Sequence, residues 1–345
     1  MTNVAVVGTG TIAEKNHLPI LLSLPHVNIV AVCDSNERRL DRIAEKFNIT
    51  NRYTDVTQML VAAAPAIDIL DVATPGFTHY EITKKGLEAG VNVLVEKPAT
   101  LKKSQAVDLE AESRKRNLKL GVCQAYRYSE PVIEFQNIRE KGGIGTVDRV
   151  ISIQHGSTIF GLPPWFWDEN LSGGILFELG VHTIDLQCYI MGSWKKVINV
   201  NIDYDKAINF IKSILATVEF DGGGIGVIDL KWLSSSSFLH QYVSGSVSDA
   251  IIKFYPDGLV LQHGDFSPLS ECKGELKRLW DFGYSALRKK YYKSSQSPHR
   301  TMIENFIHSV NNNTEPLVPI SSVFPTISLL EEIWSKAVLA KNEIK

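Results

Sequence analysis

Neither sign of charge is in excess in this sequence, and cysteine is scarce. Lys and Arg number 36 against 38 for Asp and Glu, a formal net charge of -2, so no global field exists to hold a nucleic-acid polyanion or an anionic membrane. A small-molecule partner is expected instead, with no nucleic acid. The four cysteines, Cys33, Cys123, Cys188 and Cys272, form no Cys-x-x-Cys pair and have no histidine at metal-ligand spacing, which argues against a disulfide framework and against a metal site. They read as reduced core thiols. No apolar run comes near the roughly eighteen residues of a membrane span, and the strand-like opening MTNVAVVG has no basic and then apolar leader. The expectation is a cytoplasmic protein with no integral membrane segment. Repeats and low-complexity linkers are absent too. One polar, basic stretch runs from Lys273 to His299. Its Lys277–Lys293 part reads as a solvated amphipathic helix, with contact to a diphosphate, an acidic sugar, a partner subunit or a membrane surface left open.

What the chain does have is apolar content with a rhythm. At 345 residues, 44% of them apolar, it exceeds what one compact core accommodates, and two domains are expected, 1–122 and 123–345. Through about residue 120, β-rich runs at 4–7, 29–33, 67–72, 91–95 and 118–122 alternate with helical periods at 12–24, 37–47, 56–63, 79–89 and 102–116. That alternation predicts an α/β domain, a doubly wound parallel sheet whose ligand crevice lies beyond the carboxyl ends of its strands. Past Ala125 the rhythm changes. Residues 147–154 alternate in period two, a helical segment covers 175–191, and strands follow at 214–220, 225–232, 241–245, 250–255 and 259–262. Asp221-Gly222-Gly223-Gly224 joins the first two of these as a hairpin. The second domain is therefore α+β, a mainly antiparallel sheet with helices on one face, closed by an amphipathic helix over 321–339.

Gly8-Thr9-Gly10-Thr11-Ile12-Ala13 follows the apolar strand VAVV and opens a helix, the context that turns a glycine pattern into a dinucleotide fingerprint. Gly8 suits the tight turn, Gly10 lets backbone approach a pyrophosphate, and small Ala13 lets the helix close on the strand. Asp34, 21 residues beyond Ala13 and at the end of the second strand, can accept hydrogen bonds from an adenosine ribose and would repel a 2′-phosphate. NAD is therefore preferred. NADP stays open through Arg38 and Arg39, which could stack on adenine or pair with that phosphate. Thr74-Pro75 with His79, and Glu96-Lys97-Pro98, end the next two main strands and add candidate cofactor contacts at the same edge. Pro98 holds Lys97 extended there.

With these residues in place the chain resembles the GFO/IDH/MocA family of oxidoreductases, named for glucose-fructose oxidoreductase and inositol dehydrogenase. The resemblance spans nearly the whole chain and rests on GTGTIA at 8–13, TPGFTH at 74–79, EKP at 96–98 and SGGILFELGVHTID at 172–185. It implies a Rossmann domain followed by a domain with a large, mostly antiparallel sheet, whose open face supports homodimers or homotetramers. A cis peptide before Pro98 is implied as well.

Glu178, His182 and Asp185 are spaced i, i+4 and i+7, so an α-helix would align them in one polar stripe. The resemblance makes His182 the general acid/base on a substrate hydroxyl, a task imidazole suits in both directions. It makes Lys97 a hydrogen-bond donor to the reacting oxygen. Glu178 departs from the family pattern, which more often has Asp there, and Ser172 stands in place of a third glycine. Gly173 and Gly174 would let backbone approach the substrate. A purely structural Glu-His-Asp network is the alternative, and a metal held by these three lacks a further ligand. Tyr126, Arg127, His155, Trp165, Trp167 and Asp185 are substrate candidates, because aromatic faces beside hydrogen-bonding groups suit a sugar; the tryptophans suit an interface equally. The expected function is hydride transfer between nicotinamide and a hydroxyl carbon of a sugar, cyclitol or nucleotide sugar. NAD-assisted glycoside hydrolysis and non-catalytic dinucleotide sensing are the alternatives, and retention of Lys97 and His182 counts against the second.

Overall fold

The computed structural model describes residues 1–63, 66–157, 163–232, 234, 237–255, 258–264, 289–292 and 297–344. The packing divides the chain into two units, one of Met1–Ala125 with Gln296–Ser328 and one of Tyr126–Ser295 with Leu329–Lys345.

In the first unit the short apolar runs form six strands: β1 (Thr2–Val7), β2 (Val27–Cys33), β3 (Arg52–Tyr53), β4 (Ile69–Val72), β5 (Asn92–Val95) and β6 (Leu120–Val122). They pair in the order β3-β2-β1-β4-β5-β6, every neighbour parallel. Val4, Val6, Leu70 and Val93 are sealed from solvent, as expected when crossover helices cover both faces of a parallel sheet. Those helices are α1 (Leu18–Ser23), α2 (Glu37–Lys46), α3 (Val56–Ala63), α4 (His79–Glu88) and α5 (Lys103–Lys115). The winding reverses beside β1 and β4, so the loops after these strands flank the ligand crevice. The helix expected over 12–24 is divided: a π-helical turn, Ala13–His17, precedes α1.

The chain also returns to this unit, a course that a single boundary after residue 122 does not contain. The Val122 amide donates to Val318 O at 3.0 Å, and Gly121 bridges Pro319 in antiparallel fashion at the sheet edge.

The second unit opens with α6 (Glu130–Glu140) and, among the described residues, holds eight strands: β7 (Val147–Gly156), β8 (Trp194–Asp205), β9 (Phe210–Phe220), β10 (Ile225–Trp232), β11 (Phe238–Gly245), β12 (Asp249–Tyr255), β13 (Gly258–Gly264) and β14 (Lys289–Tyr292). Their order is β14-β13-β12-β11-β7-β10-β9-β8. Every pairing is antiparallel except β7 with β10. Two short helices, α7 (Pro164–Trp167) and α8 (Glu169–Ser172), lead to α9 (Val181–Met191). Gln187 and Gln241 dock α9 on the sheet. The Gln187 amide donates to Val150 O at 3.2 Å and to Ser152 Oγ at 2.8 Å, and the Gln241 amide to Thr183 Oγ1 at 2.8 Å. The single helix expected over 175–191 is instead a π-helical turn, Leu176–Gly180, followed by α9.

Beyond residue 297 come α10 (Pro298–Asn312) and α11 (Phe324–Ile344). The basic stretch 277–293 lies outside the described residues apart from β14. Among the described residues no helix is long and apolar enough to cross a membrane.

Candidate active site

The glycine loop behaves as its sequence requires. Gly8 has φ +93°, and a Cβ there would sit 2.5 Å from Ala73 O, so only glycine closes this turn. A Cβ on Gly10 would meet nothing within 4 Å, which leaves open space over the backbone where a pyrophosphate would lie. At the end of β2 the Asp34 carboxylate accepts from Thr9 N at 2.8 Å, Thr9 Oγ1 at 2.9 Å and Asn36 N at 2.8 Å. Burial would push its pKa up, but Arg39, Asn36 and Thr9 outweigh it and hold the group below the usual carboxylate value. An ionised acceptor beside free space over Gly10 fits an adenine dinucleotide.

Arg39, offered by the sequence for stacking on adenine or pairing with a 2′-phosphate, is already engaged with Asp34. Its guanidinium grips Asp34 through Nε at 3.0 Å and Nη2 at 2.8 Å, so stacking on adenine would require that pair to open. Arg38 and Thr11 are exposed, Ile12 is half-buried and Ala13 is buried under the turn.

His79 and Glu96 are corrected as cofactor contacts. His79 is wholly buried, with Nδ1 2.7 Å from Pro98 O and Nε2 2.7 Å from Thr74 O; it straps the Thr74-Pro75 loop to the loop after β5. Thr74 Oγ1 accepts from Thr78 Oγ1 at 2.7 Å. Glu96 turns inward, where Oε1 accepts from His17 Nε2 at 3.1 Å and Oε2 from Lys97 N at 3.0 Å. His17 Nδ1 in turn lies 2.8 Å from Asp71 Oδ2. Burial alone would push the His17 imidazole down, but the two carboxylates outweigh it and hold the ring up at about 10. Glu96, which burial would raise, is held down at about 2 by His17.

Sequence reasoning missed His17 and Asp71. The available signal was Asp71 itself, a carboxylate inside the apolar run ILDV, because a buried charge demands a partner. His17, Glu96 and Cys123 also bring their ligand atoms within 4.8 Å of one another. His17 and Glu96 lie 79 residues apart in sequence, beyond any spacing rule. Both His17 nitrogens already face carboxylates, so a proton occupies the place a metal would need. Lys97 is half-buried and its peptide bond to Pro98 is cis.

In the second unit His182 stands in the first turn of α9, its ring 5.1 Å from that of Tyr126 and nearly perpendicular to it. Phe254 packs on Tyr126 at 4.6 Å. Burial pushes the Tyr126 phenol up. The expected polar stripe is broken. Glu178 lies on the π-helical turn, whose bonds run i to i+5 rather than i to i+4. Asp185 points into the core, where both its oxygens accept from Arg127, at 2.7 and 2.6 Å. Their side chains are 3% and 2% exposed, and the guanidinium lies 4.7 Å from the Tyr189 ring. Neither residue is therefore a substrate contact.

His155 is corrected too. On β7, Val150, Ser152 and Gln154 face α9, so period two sends Ile151, Ile153 and His155 to the opposite face. There His155 packs against Phe238 at 4.7 Å. Trp167 lines a cavity of about 540 Å³ in the second unit with Asp168, Asn170, Asn209, Trp334 and Asn342. Gly174 gives its open side to packing: a Cβ there would lie 2.9 Å from Trp334 Cη2.

Comparison with known proteins agrees with this construction. Residues 2–124 match the oxidoreductase family with an NAD-binding Rossmann fold, and residues 132–246 match the GFO/IDH/MocA C-terminal domain. D-glucoside 3-dehydrogenase of Escherichia coli (strain K12) is 30% identical over 259 residues, 69% of this chain and 70% of that protein. Two solved structures share the fold. One is the aldose-aldose oxidoreductase of Caulobacter crescentus complexed with glycerol, with TM-score 0.81, 19% identity and 98% of each chain covered. The other is a 3-ketoreductase of Actinomadura kijaniata in complex with NADP and TDP-benzene, with TM-score 0.80, 18% identity and 97% of each chain covered. The chain belongs to the GFO/IDH/MocA family and is an NAD(P)-dependent oxidoreductase acting on CH-OH groups.

Proposed function

We propose that the chain interconverts a ring hydroxyl and a ketone on a sugar, with D-glucosides as the first substrate class to test. When bound, the nicotinamide accepts or supplies the hydride. His182 takes the proton from the substrate hydroxyl in one direction and returns it in the other. Lys97 donates a hydrogen bond to the same oxygen, where negative charge develops. Glu178, one methylene longer than the aspartate usual in the family, orients a neighbouring hydroxyl. Gly8 to Ala13 and Asp34 hold the dinucleotide, with NAD preferred because an ionised Asp34 repels a 2′-phosphate.

The observation that carries this reading is the open backbone over Gly10 beside an ionised, hydrogen-bonded Asp34; the glucoside class comes from the E. coli relative. The test is absorbance at 340 nm with NAD and, separately, NADP, against D-glucosides, free sugars, inositols and nucleotide sugars. Substrate-dependent reduction is expected with a sugar of this panel. Lys97→Ala and His182→Ala should each lose about 10²- to 10⁴-fold in turnover while NADH binding, followed by its fluorescence, changes little. Wild-type turnover in either variant would remove that residue from the chemistry.

A further inference from the structure

We propose that His17 is a positioning residue for Lys97, acting through Glu96 as an imidazolium shared between two buried carboxylates. This rests on Lys97 being the donor to the reacting oxygen proposed above. The geometry is a chain of contacts across three elements. Asp71, 1% exposed in the middle of β4, faces His17 Nδ1 from both its oxygens, at 3.0 and 2.8 Å. His17, fully buried at the end of the π-helical turn, donates through Nε2 to Glu96 Oε1 at 3.1 Å. The other Glu96 oxygen, Oε2, accepts the backbone N–H of Lys97 at 3.0 Å.

Each ring nitrogen of His17 meets a carboxylate, and carboxylates only accept. A neutral imidazole has a single N–H, so one contact would set lone pair against lone pair. The ring is therefore doubly protonated, and its charge compensates two buried carboxylates. Pairs of this kind are a poor route to stability, since an apolar replacement of equal volume does as well or better. What the arrangement supplies is position: the carboxylate that holds the Lys97 amide is itself held from β4 and from the helix opened by the glycine loop. Among the described residues the remaining ionisable groups facing Glu96 are Lys97, His79 and His299, and Cys123 faces both Glu96 and Asp71. Only His17 touches both carboxylates among these hydrogen bonds.

The consequence is selective. Losing His17 leaves Glu96 buried without its counter-charge, so the carboxylate shifts and the Lys97 loop with it. A displacement on the order of 1 Å at a group that must meet a reacting oxygen costs about 10²-fold. Dinucleotide affinity depends on Gly8 to Ala13 and Asp34, and should change little.

The test is a double-mutant cycle on the full chain with the panel sugar that reduces NAD. His17→Gln should lower kcat about 10- to 100-fold with KM and NADH affinity within about threefold. In a Lys97→Ala background the same substitution should cost less than about twofold, because a residue acting through Lys97 has nothing left to position. Asp71→Asn keeps the shape and an acceptor for the ring, and should repeat the pattern with a smaller loss, which covers the case of a His17→Gln chain that fails to fold. A readout independent of turnover is the long-range ¹H–¹⁵N spectrum of the His17 ring, which should show both nitrogens protonated at pH 8. Equal losses in the wild-type and Lys97→Ala backgrounds, or a neutral ring at pH 8, would overturn the proposal. Wild-type turnover in Lys97→Ala alone would instead sink the role of Lys97, and this inference with it.

Discussion

Five donors converge on the Asp34 carboxylate, against about four lone-pair positions. On the proposal that Asp34 holds the ribose, a ribose hydroxyl would take over one of these places, and displacing Arg39 would leave a cation beside the ribose. That gives the pair a say in cofactor choice. Asp34→Ser removes the repulsion toward a 2′-phosphate and frees Arg39 to meet it. The ratio of kcat/KM for NADP over NAD should rise by about tenfold or more, since one unit-charge interaction at a partly buried site is of that order. An unchanged ratio would mean that Asp34 does not set the preference. The tight turn at Gly8 and the strand-end position of Asp34 were legible in the sequence because both are local properties. His79 and Glu96 were misread for the complementary reason. Their place after a strand fixes which end of the sheet they occupy and leaves open which way the side chain points. His17 and Asp71 sit 54 residues apart and meet only through the sheet.

The same limit recurs among the elements. Strands buried on both faces, such as β1 and β4, announce themselves as apolar runs. β8, the edge strand, was missed although residues 198–205 alternate apolar and polar in period two, because no apolar run sets it off from the helix before it. The π-helical turn at Leu176–Gly180 follows from no spacing rule, yet it sets Glu178 on a turn of different period from the α-helix that carries His182 and Asp185. Arg127 and Asp185 show the energetic side. Helix α9 is tied to the segment after β6 by a bidentate pair almost without exposure. Arg127→Met would leave the Asp185 charge buried and alone, at a cost of about 3–5 kcal/mol. Replacing both, Arg127→Met with Asp185→Leu, should recover most of that loss. Urea unfolding of the three chains measures it; a double variant as unstable as the single one would show that the pair is more than a matched set of charges.

At the scale of the whole chain, the first unit is closed by a segment from far along the sequence. Gln296–Ser328 supplies α10 and the Val318–Pro319 edge contact, and it also brings His299 to face Glu96. The charged cluster around His17 is thus assembled from both stretches of the unit, and its titration should be felt in the unit's global stability. His17 is raised from 6.5 to about 10 on folding, so its contribution is fully present below pH 6.5 and is lost as pH rises through 10. Glu96 is lowered from 4.5 to about 2, so its contribution is fully present above pH 4.5 and is lost as pH falls through 2. The window in which both act runs from about pH 4.5 to 6.5. Urea midpoints of the wild type and of His17→Gln, measured from pH 5 to 10.5, should therefore differ most at the acid end and converge toward the alkaline end. The comparison between the two chains cancels the groups other than His17 that they share. Curves that stay parallel throughout would mean that the imidazole carries no extra proton in the folded chain, and that the two carboxylates are neutralised by something other than His17.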